Sequence, residues 1–143
     1  MWKSKRNVTI SYKPLDPPSA SNKDQIEDIV SYQTLSSDKE KTVLGIDTRG
    51  ASTGEWDWRG KGWLKIASSH WEVLGYGDLE GGGQWAVTYF AKTLFTPAGI
   101  DVYSRSKEGV GEEILEGIKG ALAKSEDSGV RDLAATLFEV TRN

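Results

Sequence analysis

A single histidine and the absence of cysteine bound the chemistry this sequence can attempt. Without cysteine there is no disulfide, no thiolate nucleophile, no zinc–thiolate site and no iron–sulfur cluster. A Ser-His-Asp triad would have to run through His70. The adjacent Ser69 is a poor partner, because neighbours along a strand point to opposite faces. Glu72 shares the face of His70 and would orient the imidazole if it worked as a base. The competing reading is a structural or ligand-lining imidazole. Candidate acid/base groups are His70, Glu72, Tyr89, Asp101 and Tyr103. One histidine does not make a usual zinc site. Asp47, Asp57, Glu72 and Asp101 lack the spacing of a hard-cation loop, so neither metal nor cofactor is expected. Gly60-Lys61-Gly62 and Gly81-Gly82-Gly83 open no helix and match no phosphate-binding fingerprint.

Tryptophan is the second signal. The chain has six, of which Trp56, Trp58, Trp63 and Trp71 fall close together. Each offers a wide apolar face and one N–H donor. In a small barrel such residues fill the interior or line a cavity. As lining for a planar or hydrophobic ligand, the candidates are Trp58, Trp63, Trp71, Trp85, Tyr12 and Tyr32. Arg59 is either a clamp for a carboxylate or a solvated strand end.

Those residues need strands to hold them. Val8 to Lys13 alternates apolar and polar, the mark of a half-buried strand. Pro14, Pro17 and Pro18, followed by Ser19 to Asn22, cannot continue it. A second strand is predicted over Ile26 to Leu35, with room for a helical turn near Asp24 to Asp28. Ser36 to Glu40 reads as a polar turn, and Thr42 to Thr48 as a third strand. Gly50 to Gly54 is a loop. Further strands are expected around Trp63 to Ala67 and Trp71 to Tyr76, as a hairpin through Ser68-Ser69 or one bent strand. Gly81 to Gly83 suits a hairpin loop. Trp85 to Lys92 is the clearest strand, followed after a turn at Thr96 to Gly99 by Ile100 to Arg105. On that last strand Ile100 and Val102 share one face, and Asp101, Tyr103 and Arg105 the other. The polar face is read as meeting solvent; a barrel with a polar cavity would turn it inward. The period then changes. Ile114, Leu115, Ile118, Ala121 and Leu122 give one helix over 112–124, and Val130, Leu133, Leu137 and Phe138 a second over 129–141, with Ser128 as its cap.

Strands grouped before helices argue against a doubly wound parallel sheet. The expectation is one mainly β domain spanning 1–143. It is an antiparallel barrel or barrel-like sheet, incomplete or open, with two C-terminal helices. The alternative is a curved antiparallel sheet gripping a C-terminal helix. The net charge of −3 gives no attraction to phosphate backbones, so no nucleic acid is expected; Lys3, Lys5 and Arg6 read as a solvated arm. No apolar window reaches a membrane span, and no apolar leader is visible, which points to the cytoplasm.

The run from Trp58 to Gly75, with Trp85-Ala86-Val87-Thr88-Tyr89-Phe90 and Phe95 to Arg105, resembles a group of uncharacterised fungal proteins with a lipocalin-like (calycin) barrel. The resemblance would cover most of the chain from about Asn7. It implies a small-molecule cavity in the barrel mouth and carries over no catalytic residue. Lipocalins usually begin with a strand bearing Gly-x-Trp ahead of the region seen here, whereas this chain starts almost directly at the Asn7 strand. A missing first strand would leave an open edge, available for homo-oligomer pairing.

The function expected is non-catalytic binding of a small hydrophobic or aromatic molecule. One alternative is a cofactor-independent isomerase, cyclase or dehydratase using the same cavity. Another is a protein-interaction domain without a ligand.

Overall fold

The computed structural model describes residues 1–15 and 24–143. The expected connection over Pro17, Pro18 and Ser19 to Asn22 lies outside them. Seven strands form one antiparallel sheet in sequence order: β1 (Lys5–Pro14), β2 (Gln25–Thr34), β3 (Ser37–Arg49), β4 (Glu55–Gly60), β5 (Ser68–Asp78), β6 (Gln84–Phe90) and β7 (Gly99–Ser104). Helices α1 (Glu112–Ala123) and α2 (Ser128–Ala134) follow.

The sheet curls into a half-barrel, and side chains from distant strands show which face is concave. Tyr12 on β1 stacks on Trp71 of β5 with ring centroids 6.1 Å apart. It also lies beside Tyr103 and Asp101 of β7, six strands away in the sheet. The face carrying Tyr12, Trp71, Asp101 and Tyr103 is therefore the inside. Bulges at Arg6/Thr9 and Val73/Gly75 sharpen the bend.

The apolar core lies on the other face. Val87 and Ile100 pack under Ile118 and Leu122 of α1 and Ala134 of α2, with Trp85, Tyr89 and Val102 around them. The helices thus sit on the convex side and are not gripped by the sheet. Glu112 and Glu113 suit the positive end of α1.

Several expectations need correction. No helical turn occurs near Asp24 to Asp28, because Asp24 takes a positive φ and β2 starts at Gln25. Ser37 to Glu40 belongs to β3, so the turn is only Leu35-Ser36. Trp63 to Ala67 is not a strand. Gly62–Ile66 is a 3₁₀ turn, entered through Gly62 at φ 63°, and the strand before it is β4. The second helix is shorter than its apolar spacing suggested, and Asp127 caps it by accepting from Gly129 and Val130 N–H groups.

The chain beyond α2 has a different task. Thr141 forms a parallel bridge with Arg6, and its carbonyl accepts from the Asn7 N–H at 2.8 Å. Asn143 N–H donates to Asn7 Oδ1 at 2.8 Å, and Asn7 Nδ2 donates to the Asn143 carbonyl at 2.9 Å. Lys3 lies over the Phe138 ring. Since α2 contacts β7, the chain end bridges from the β7 side to the free edge of β1.

Candidate functional site: the acidic interior

Strand alternation puts Tyr12, Asp28, Asp47, Trp56, Trp58, Trp71, Thr88, Asp101 and Tyr103 on the concave face. Asp47 is fully buried, and Asp28 and Thr88 nearly so. Asp28 stands opposite Tyr12 and Gly45, while Asp47 stands opposite Ile26 and Trp58. The Trp71 indole N–H donates to Asp47 Oδ1 at 2.9 Å. Trp71 is sandwiched between Tyr12 and Trp56, the latter at 5.8 Å between centroids. Trp58 fits because its neighbour is glycine: a Cβ on Gly45 would lie 2.0 Å from the indole nitrogen.

The electrostatics follow from burial. Asp28 and Asp47 face each other at the centre. Taken as two carboxylates, Asp28 Oδ1 and Asp47 Oδ2 have no hydrogen-bond partner among the described residues. A proton on Asp28, donated to Asp47, removes that deficit. Burial pushes the Asp28 pKa well up, and the Asp47 charge and hydrogen bond add to it. Burial also raises Asp47, while the bonds from Trp71 and Asp28 pull it back. Asp101 is raised to about 6 by burial, against the opposing pull of Trp2 and the Tyr103 hydroxyl. That hydroxyl donates to Asp101 Oδ2 at 3.4 Å. Burial first, then nearby carboxylates, keep the Tyr12 and Tyr103 phenols protonated. Thr88 Oγ1 is buried beside the Tyr103 hydroxyl, with no well-formed hydrogen bond among the described residues.

The interior is thus lined by flat aromatic faces around carboxyls, two phenols and a hydroxyl. It can accept N–H or O–H donors, and its neutral carboxyl can donate one proton.

The sequence candidates divide between the two faces. Tyr12, Trp58, Trp71, Asp101 and Tyr103 face inward, so the expectation that Asp101 and Tyr103 meet solvent is corrected. Arg105 follows the last residue of β7 and is exposed. Tyr32 shares the parity of Asp28 and contacts Trp2 at 5.9 Å. His70, Glu72, Tyr89, Arg59 and Trp85 lie on the convex face. Trp63 is 81% exposed at one end of the barrel, away from the interior. The five acid/base candidates therefore do not converge.

On the convex face His70 is held by two carboxylates, Nδ1 to Asp57 and Nε2 to Glu72, both at 2.9 Å. Those bonds, Asp57 first, raise its pKa above the ordinary imidazole value. Ligand atoms of Glu55, His70 and Glu72 lie within 4.8 Å of one another, a donor set that suits a divalent cation. Beside them runs an open groove of about 1030 Å³, lined by Gln25, Thr48, Arg59, Lys65, Ser68 and Lys92 among others.

Sequence reasoning missed Asp28, Thr88, Trp2 and Trp56 as interior groups, and took Asp47 only as a cation donor. A signal existed: Asp28 shares its parity with Ile26 and Val30, and Asp47 with Val43. An acid in register with apolar residues is buried with them.

No protein-family model matches the chain, and no curated protein or solved structure is found similar to it. No helix among the described residues is long and apolar enough to cross a membrane.

Proposed function

We propose that the concave interior binds a small molecule with a flat apolar body and one or more N–H or O–H donors, without transforming it. The observation that carries this reading is the buried Asp28–Asp47 pair beneath the Tyr12–Trp71–Trp56 stack. Burying two carboxyls side by side is unfavourable unless something donates to them. A proton shared between Asp28 and Asp47 is one such donor, and an N–H or O–H of a ligand would be another. The stacked rings give contact area, and the polar groups fix orientation. A lipocalin-like relationship to fungal proteins, and a role as carrier or sequestering protein, belong to the same proposal.

Native mass spectrometry of protein from its own host tests it, read beside quenching of tryptophan fluorescence by lipophilic aromatic amines and phenols. A retained small molecule, with quenching at low micromolar ligand that Trp71→Phe weakens, is the expected result. A bare chain mass and flat titrations would sink it.

A second reading has its own support. Asp28 holds a proton beside a more acidic Asp47, the arrangement of a general acid next to a general base. A cofactor-independent isomerase, cyclase or dehydratase would use that pair with Asp101 and Tyr103. Asp28→Asn separates the readings: it keeps a donor toward Asp47 but cannot transfer a proton. Binding that survives while turnover disappears identifies an enzyme.

A further inference from the structure

Two loops lie at the same end of the half-barrel. One, 61–67, joins β4 to β5; the other, 91–98, joins β6 to β7. Because β5 and β6 are neighbours, the loops are adjacent: the Ala91 N–H donates to the His70 carbonyl, and Lys65 and Lys92 line the same groove. Four large apolar side chains project from them, with Trp63 81%, Ile66 66%, Leu94 79% and Phe95 59% exposed. Isolated exposed apolar residues are ordinary, but four together on two adjoining turns are not.

Both turns are built to hold these residues out. The Arg59 guanidinium donates to the Lys65 carbonyl at 2.8 Å, and the Leu64 and Ala67 N–H groups close the 3₁₀ turn. In the second loop Thr93 Oγ1 accepts from the Phe95 and Thr96 N–H groups, both at 3.0 Å, and bonds Thr96 Oγ1 at 2.9 Å. The apolar tips are therefore preset, and little ordering is left to do on contact.

Charge chooses the partner. The two loops hold Lys61, Lys65 and Lys92 and no acid, although the chain carries −3 overall. Lys61 shares its charge with Glu27 at 2.9 Å; Lys65 and Lys92 flank the apolar tips. Two copies docked through this face would bring like charges together. A surface that is anionic and yields apolar depth fits both features.

We propose that this end of the half-barrel docks on anionic lipid bilayers. Trp63, Ile66, Leu94 and Phe95 enter the interfacial zone, and Lys65 and Lys92 meet the headgroups. The indole of Trp63 suits that zone, being apolar in body with one polar N–H. The proposal is independent of what the interior holds.

Flotation with phosphatidylcholine vesicles, with and without phosphatidylserine, tests it. Binding is expected to phosphatidylserine vesicles and to fall with added salt. Trp63→Ala/Phe95→Ala should weaken it roughly tenfold or more. Lys65→Ala/Lys92→Ala should also weaken it by roughly tenfold. Tyr76→Ala removes an equally exposed aromatic outside both loops and should change nothing. All these side chains are exposed, so circular dichroism should match the parent. Absence of flotation overturns the proposal. So does flotation that Trp63→Ala/Phe95→Ala leaves intact, or a concentration-dependent dimer abolished by that variant without vesicle binding.

Discussion

Both faces of the sheet carry acids and put them to opposite ends. Outside, Asp57 and Glu72 bracket His70, and water screens all three. Inside, Asp28 and Asp47 meet with no cation among the described residues between them, and a shared proton does the work that His70 does outside. The strands that supply both sets are the same or adjacent, so residue type does not separate them. Burial does: it turns a carboxylate that attracts cations into a carboxylic acid that donates hydrogen bonds.

Removing Asp47 should break this contrast most severely. Asp47→Ala leaves the Asp28 proton and the Trp71 N–H without an acceptor, and should lower unfolding free energy by about 3 kcal/mol. Urea denaturation followed by circular dichroism measures it; a loss under about 1 kcal/mol would mean the interior is wet.

The pH dependence is next. The interior acids have pKa values raised above their unfolded values, so the folded state binds more protons in the window between. Their contribution is fully present below the ordinary Asp value. It is lost as pH rises through about 6 at Asp101 and higher at Asp28. Stability should therefore fall by about 2 kcal/mol from mild acid to mild base. His70 acts in the same direction, its stabilising pairs fading as the imidazole deprotonates. Asp28→Asn should flatten the curve, because its amide donates to Asp47 at every pH. Thermal melts across that range decide the matter, and an alkaline optimum would refute the shared proton.

Gly45→Ala sharpens the comparison from the packing side. The new methyl would overlap the Trp58 indole and should cost about 1 to 2 kcal/mol with a shift in tryptophan emission. His70→Ala should be the mildest change, under about 1 kcal/mol, since its pairs are exposed. A larger loss, read by the same urea titration, would show that the outer cluster is structural.

Much of this was legible beforehand. The alternation over Val8 to Lys13 and Ile100 to Ser104, and the apolar stripe of α1, name their elements directly. The 3₁₀ turn at Trp63 was not legible, because an apolar run between glycines satisfies strand and turn patterns alike. Alternation separated Asp101 and Tyr103 from Ile100 and Val102, yet could not say which set faced inward. Polarity pointed the wrong way there, since the helices claim the apolar face and leave the polar one to the interior. That choice depends on where α1 and α2 dock, a contact remote in sequence. The short α2 was hidden for a similar reason: Leu137 and Phe138 keep the helical spacing, but the chain past Ala135 leaves to meet Arg6 and Asn7.

That meeting has a kinetic consequence. Asn7 and Asn143 are separated by nearly the whole chain, so their pairing is among the most costly loops to close and should form late. During synthesis β1 waits with an unmatched edge until residues 141–143 emerge. Changes at Thr141 or Asn143 should therefore slow the last stage of folding, and lengthen exposure of that edge to other chains, before they alter anything measured on the finished interior.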